Sequence, residues 1–322
     1  MNTNNNYTFS IVIPTRNENK DIVNTLDKCL LLNPSPLEIL IVDDSTDNTP
    51  LIVGNYHDQR IRLIHRSENS NGCCGARNLG LSEAKGSIVV FLNADDRPET
   101  NFLNQLLQRY KLGADYIIVK SSVINNENLW GNFIYSTNEL WLSTSPNMEW
   151  SEGFSCLKDK AMDIGGIPGD YCIPFCRDWM LGNSLGKAGC NKIVDLTISM
   201  PHFAPDNLIE YWHNQKWRGT FAPLNQFFIR KSSVIWTITR EFLKLGRTFL
   251  ELSLVVPQII NTIRIAKYSK KKFYDIPSIW FVSIIQKIAI TVGNFKGISL
   301  LIQKSLKTNY LTSEKVKSSK SR

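Results

Sequence analysis

Apolar runs and polar clusters alternate through the first 125 residues. "FSIVI" (9–13) is a short apolar run stopped by Pro14. Ile22, Leu26, Leu30 and Leu31 follow at helical spacing within 18–32. "LEILIV" (37–42), "IRLIH" (61–65), "SIVVFL" (87–92) and "YIIVK" (116–120) are further strand-like runs. Helical spacing returns in 75–86, where Gly86 is a plausible stop, and in 101–110. Continuous apolar strands between helices predict a mostly parallel sheet covered on both faces. Ligands of such sheets sit beyond the carboxyl ends of the strands. Three polar clusters follow strands directly: "PTRNEN", "DDSTDNT" and "NADDRP". They are expected to converge on one crevice.

Beyond residue 125 the pattern loosens. "GGIPGDYCIPFC" (165–176) reads as a loop, 177–189 as a helix and 191–196 as a strand. From about 233 apolar and basic stretches alternate. "SIWFVSIIQKIAITVGNFKGISLLI" (278–302) carries Gln286, Lys287, Asn294 and Lys296 inside. A lysine at the centre of a spanning helix is costly, so an in-plane amphipathic helix is the favoured reading. "KYSKKKFYD" (267–275) adds a polybasic patch suited to anionic lipid.

Charge sharpens this division. The net charge of +8 hides 20 Lys+Arg against 4 Asp+Glu from residue 215 onward, and 17 against 25 before it. An acidic front and a basic back predict an anionic partner for the back, and a membrane surface fits better than nucleic acid, for which no binding module is present. The start of the chain has neither a basic nor an apolar leader segment, so no signal peptide is expected. Seven cysteines, an odd number in a long chain, argue against a disulfide framework and for reduced thiols. Cys172 and Cys176 lack the partners of a zinc site. "GNSLG" (182–186) fits Gly-x-Ser-x-Gly, but a helical pattern runs into it where a hydrolase needs a strand. His57, His65, His202 and His213 show no metal spacing and read as surface or packing residues.

Two acidic clusters carry the candidate chemistry. Asp95 and Asp96 end a buried strand. They read either as a helix cap or partner of Arg97, or as oxygen ligands of a hard divalent cation shared with a diphosphate. Asp43 and Asp44 end another strand and read as acceptors for a base or ribose; the same loop reads as an N-cap of the following helix by Asp47 or Ser45, and the two readings are compatible.

"FSIVIPTRNE", "ILIVDDSTDNT", "GCCGARNLGLSEAKGSIVVFLNADD" and "MDIGGIPGDYCIPFCRDWMLGNSLGKAGCNKI", in this order and spacing, resemble family 2 glycosyltransferases. The resemblance covers roughly residues 8–220. It implies an α/β GT-A fold, Rossmann-like, with a mostly parallel central sheet flanked by helices; a basic amphipathic helical appendage would follow. By position it puts Pro14, Thr15, Arg16 and Glu18 at a nucleotide pocket, with Asp44 and Asp43 at the base. Gly75, Ala76 and Arg77 would lie near base or phosphate. The usual Asp-Ala-Asp reads Asn93-Ala94-Asp95, followed by Asp96. Asp95 becomes the expected ligand of Mn2+ or Mg2+, with Asp96 as substitute. Asp178 matches the catalytic base, beside Arg177 where the family carries glutamate, and Asp170 is the alternative. Trp217 and Arg218 of "KWRGTF" (216–221) match a basic-aromatic segment that meets sugar and diphosphate; an interfacial helix is the other reading.

The expected layout is a glycosyltransferase domain over 1–222, a helical membrane-associating region over 223–310 and a basic disordered tail over 311–322. The expected activity is inverting, metal-dependent transfer of a sugar from a nucleotide diphosphate sugar to a lipid-linked or polysaccharide acceptor. It would take place at the cytosolic membrane face, with the protein peripheral or monotopic. The alternative is a non-catalytic nucleotide-sugar-binding or membrane scaffold protein.

Overall fold

A computed structural model describes residues 6–66, 72–144, 152–167, 179–228 and 230–319. The chain forms two compact units: Met1–Ile124 with Ser145–Phe203, and Asn125–Thr144 with Ala204–Arg322.

Seven strands make the sheet of the first unit: β1 (Phe9–Thr15), β2 (Glu38–Asp43), β3 (Ile61–His65), β4 (Ile88–Phe91), β5 (Tyr116–Val123), β6 (Ser155–Leu157) and β7 (Lys192–His202). Their spatial order is β3-β2-β1-β4-β6-β5-β7. The four strands β3, β2, β1 and β4 are parallel. β6 runs antiparallel between β4 and β5, and β5 pairs with β7 in parallel. The helices of this unit are α1 (Ile22–Leu30), α2 (Thr49–Gly54), α3 (Gly72–Glu83) and α4 (Phe102–Lys111), then α6 (Lys158–Asp163) and α7 (Trp179–Lys187); α5 (Leu129–Thr144) belongs to the second unit.

The uninterrupted apolar strands follow from cover on both faces. Ile11 and Ile13 of β1 pack with Ile22 and Leu26 of α1 and Phe102 of α4. Val12, pointing the other way, packs with Leu81 of α3 and Leu185 of α7. α3 lies so close to β1 that a Cβ on Gly80 would come within 2.3 Å of Val12 Cγ1. Cys29, Cys156 and Cys190 carry free thiols. Cys74 is disulfide-bonded, which departs from the expectation of seven reduced thiols, although one bond is not a framework.

The second unit is helical: α5, α8 (Leu208–Phe228), α9 (Val234–Ser253), α10 (Val255–Ala266), a 3-10 turn over Lys272–Asp275 and α11 (Ile276–Ser319). Trp130 and Phe133 of α5, Tyr211 of α8, Ile265 of α10 and Ile279 and Val282 of α11 form its core. α8 and α11 cross at glycine. A Cβ on Gly293 would meet Lys216 O at 2.0 Å, and one on Gly219 would meet Ile290 O at 2.1 Å. Such backbone approach between helices is a habit of small-xxx-small sequences, and Gly293 and Gly297 have that spacing.

The expected boundary at residue 222 falls within α8, a continuous helix. The segment 311–319, expected to be disordered, continues α11, and no Gly or Pro interrupts 298–319. Lys272–Gln303, 32 residues that contain an 18-residue stretch with a mean hydropathy of 1.5, is long and apolar enough to cross a membrane by length and composition. Its central Lys287 is paired with Glu251 of α9 at 2.9 Å, a carboxylate shared with Arg247 at 2.7 Å.

Candidate functional site

The carboxyl ends of β1, β2 and β4 lie side by side, with Thr15 opposite Asp43 and Val12 opposite Phe91. The loops leaving β1 and β2 are bound to each other. Asp43 is fully buried. Its Oδ1 accepts the hydroxyls of Thr15 at 2.7 Å and Ser45 at 2.6 Å. Its Oδ2 accepts the Ser45 N–H at 3.2 Å and lies 3.0 Å from His65 Nδ1. Asn17 sits at φ 61°, a left-handed conformation that asparagine tolerates. Its Oδ1 accepts the N–H groups of Thr46 at 2.8 Å and Asp47 at 3.3 Å. The Glu18 N–H donates to Thr49 Oγ1 at 3.0 Å. Pro14 is half-buried and Arg16 exposed on this loop.

Asp44 is also engaged. Arg66 donates from Nε to its Oδ1 at 2.8 Å and from a terminal nitrogen to its Oδ2, and that nitrogen also donates to Gly72 O at 2.7 Å. The pair ties β2 to the start of α3, whose first turns carry half-buried Gly75 and buried Arg77. Arg77 donates to Asn93 Oδ1 at 2.7 Å. The atypical Asn93 therefore offers its oxygen to a guanidinium within the protein. Asn78 brackets Ile167, with its amide on Ile167 O and its oxygen on Ile167 N–H, both at 2.8 Å.

At the end of β4 the two aspartates diverge. Asp96 is fully buried, its Oδ2 accepts the Asn93 N–H at 2.8 Å, and its Oδ1 has no hydrogen-bond partner among the described residues. Asp96, expected as a substitute metal ligand, is thus engaged in the turn through one oxygen, and Asp95 is the less buried carboxylate of the pair. Ala94 is buried, and its carbonyl accepts the Thr25 hydroxyl. Arg97 pairs with neither aspartate. Its guanidinium reaches Asp21 at 2.8 Å, Thr25 at 2.6 Å and Asp96 O at 3.0 Å, and lies over the Phe203 ring at 5.2 Å. Arg97→Met is expected to cost about 3 kcal/mol, read as a lower urea midpoint, because it strips charge-assisted bonds from a buried turn.

The crevice concentrates negative charge. Burial, and then Asp95, Asp21 and Asp47, push Glu18 up to about 7. Burial, followed by Glu152, pushes Asp95 up to about 6 against the opposing effect of His202. Burial and Asp95 raise Asp96 well above the ordinary carboxylate range. His202 pairs with Asp96 through the main chain, and its Nδ1 lies 3.3 Å from Ser121 Oγ, so it neighbours the two aspartates. Its buried position fits the packing role expected of it, and its nearness to the aspartates is not visible in the sequence, because the contact joins β7 to a loop a hundred residues earlier.

A dependence on pH follows. Between the ordinary carboxyl values of 3.8 and 4.5 and the raised ones near 6 and 7, the native state holds more protons than the unfolded chain. Stability therefore falls as pH rises through that window. The melting temperature without divalent cations is expected to fall between pH ~5 and ~8, and Mn2+ is expected to restore it most at the upper end. A flat profile would contradict the charge assignment.

Asp178, with Arg177 and Asp170, lies outside the described residues. Trp217 and Arg218 lie on α8 in the second unit, where Trp217 packs edge-on against Phe221 at 4.4 Å between ring centroids. Among the described residues no group of three or more His, Cys, Asp or Glu is arranged to hold a metal ion.

Residues 10–166 match the family described as Glycosyl transferase family 2. That segment is a family 2 glycosyltransferase domain. The domain is similar to glycosyltransferase GlyG of Streptococcus pneumoniae serotype 4, 33% identical over 130 residues that cover 39% of this chain and 42% of that protein. It is also similar to an Escherichia coli protein, "UDP-Glc:alpha-D-GlcNAc-diphosphoundecaprenol beta-1,3-glucosyltransferase WfgD", 32% identical over 130 residues, 40% of this chain and 51% of that protein. The chain thus spans about half or less of these relatives. In fold, it resembles the mannosyltransferase PcManGT of Pyrobaculum calidifontis in complex with GDP-Man and Mn2+ (TM-score 0.58, 17% identity, 90% of this chain and 87% of that one). It resembles S. aureus TarS 1–349 in complex with UDP-GlcNAc as well (TM-score 0.52, 15% identity, 89% and 90%). The mixed α/β unit, with its seven-stranded sheet between helices, is thereby a GT-A fold, and helices follow it at the carboxyl end.

Proposed function

We propose that this protein transfers a sugar from a nucleotide diphosphate sugar to a lipid-linked or polysaccharide acceptor at the cytosolic face of a membrane. The observation that carries the reading is the crevice itself. Half-buried Asp95 and Glu18 stand together where β1, β2 and β4 end, with Arg77 fixed beside them through Asn93.

A divalent cation fits this donor set. Asp95 is a hard oxygen ligand amid like charge, and Mg2+ or Mn2+ commonly takes one or two carboxylates plus substrate phosphates rather than a full protein cage. Asp95 would hold the ion, with Asp96 supporting the turn; the ion supplies charge stabilisation to a departing diphosphate. The nucleotide would lie along the β1 and β2 loops, from Pro14, Thr15 and Arg16 past Glu18 to the Asp43 and Asp44 cluster, with Gly75 of α3 facing it. Asp178 is the proposed base. It takes the proton of an acceptor hydroxyl, whose oxygen attacks the anomeric carbon; the carbon–oxygen bond to the diphosphate breaks and the configuration inverts. Arg218 and Trp217 are proposed to meet diphosphate and sugar.

The acceptor class rests on relatives. WfgD is named for a diphosphoundecaprenol acceptor, and TarS for a poly(ribitol-phosphate) acceptor. The catalytic region is proposed to end near 222 and the membrane-associating helices to follow through 310, on the strength of the basic, apolar character of that segment.

Donor turnover with Mn2+ tests the reading. Asp178→Asn should abolish transfer or donor hydrolysis and leave donor binding intact. Unchanged turnover would remove Asp178 from its role. Donor binding without any turnover in the unaltered protein would point to a non-catalytic nucleotide-sugar binder.

A further inference from the structure

α9 and α10 are amphipathic but inverted. Their buried positions include Thr237 and Glu241 of α9 and Gln258 and Thr262 of α10. Their outward positions are mostly apolar: Ile235 (79% exposed), Trp236, Phe242 and Phe249 (71%) on α9, and Val256 (67%) and Ile260 on α10, with Arg247, Asn261 and Arg264 among the exposed polar exceptions. A helix on a water-facing fold has the opposite arrangement. Exposed apolar patches of this extent mark interaction surfaces.

Each charged side chain of α9 has a polar partner, although Arg247 stays largely exposed. Glu241 pairs with Lys244 at 2.6 Å, Arg247 with Glu251 at 2.7 Å, and Glu251 also with Lys287 of α11 at 2.9 Å. Arg240 donates to Gln226 Oε1. Polar groups turned inward or paired are what a lipid environment requires.

Charge at the end of this surface selects the occupant. Exposed Lys267, Lys270, Lys271 and Lys272 follow α10 directly, and exposed Phe273 and Tyr274 stand beside them. Lysines and aromatic rings together suit the headgroup level of an anionic leaflet. α10 has 12 residues, about 18 Å of helix, against a hydrocarbon core of about 30 Å. α9 and α10 meet at 90° across the break between them.

We propose that the outward apolar faces of α9 and α10 enter the acyl-chain region of one bilayer leaflet without crossing it. Lys267, Lys271 and Lys272 then engage anionic headgroups, while Lys270 is paired with Glu127. This rests on the membrane reading above and deepens it, by naming the face and its depth.

The test uses the full chain with phosphatidylcholine vesicles, with and without phosphatidylglycerol. Flotation should depend on phosphatidylglycerol. Lipids brominated midway along the acyl chain should quench tryptophan fluorescence, and Trp236→Phe should lose part of that quenching. Phe242→Asp with Phe249→Asp, both at exposed positions and checked by circular dichroism, should lower the ratio of bound to free protein at least ~10-fold. Flotation with no quenching attributable to Trp236 overturns the insertion and leaves surface association standing. Absence of flotation overturns both. A lipid-independent dimer whose Trp236 is shielded from bromine assigns the face to a second copy and also overturns the proposal.

Discussion

Asp95→Asn is expected to lower donor turnover at least ~10²-fold and, at pH ~8 without metal, to stabilise the fold by about 2 kcal/mol. The two effects share one cause. Burial and neighbouring acids hold the Asp95 carboxyl up at about 6, so its charge is unfavourable in the empty crevice. Asparagine removes that charge while keeping the shape. It also removes the hard ligand proposed for the cation, so Mn2+ should no longer raise the melting temperature. Paired melting curves and turnover assays check this. A variant that lost stability would show that Asp95 holds the fold rather than the ligand.

The second large effect belongs to the helical unit. Gly293→Leu is expected to destabilise it by about 3 kcal/mol or more, since its Cβ would lie 2.0 Å from Lys216 O and 2.8 Å from Thr220 N. Backbone cannot swing aside as a side chain can, so α8 and α11 must separate. Gly246 of α9 is the internal control. A Cβ there meets nothing within 4 Å, so Gly246→Ala should gain ~0.5–1 kcal/mol from helix propensity. Urea unfolding read by circular dichroism separates the two. Equal midpoints for Gly293→Leu and the unaltered protein would rule out the close crossing.

What was legible in the sequence followed from local pattern. β1 to β5 are apolar runs long enough to show, and the polar clusters behind β1, β2 and β4 do converge. β6 has three residues and lies antiparallel between two strands far away in sequence, so no periodicity could reveal it. The protein partners of Asp43 and Asp44, namely Thr15, Ser45, His65 and Arg66, are brought in by strand pairing and a loop, which no local pattern reveals. The difference between Asp95 and Asp96 is likewise a matter of side-chain direction after a strand end. In α9 and α10 the stripe of apolar residues is plain in the sequence, but only packing shows that it faces outward.

The most direct test of the central claim is calorimetric titration of the intact protein with UDP- and GDP-sugars, with and without Mn2+. The account predicts saturable binding of at least one donor that needs the cation, worth about 2.7 kcal/mol of added stability at a hundredfold excess over Kd, and lost in Asp95→Asn. Binding of no nucleotide diphosphate sugar, or binding unchanged by Asp95→Asn and by removal of Mn2+, would contradict it.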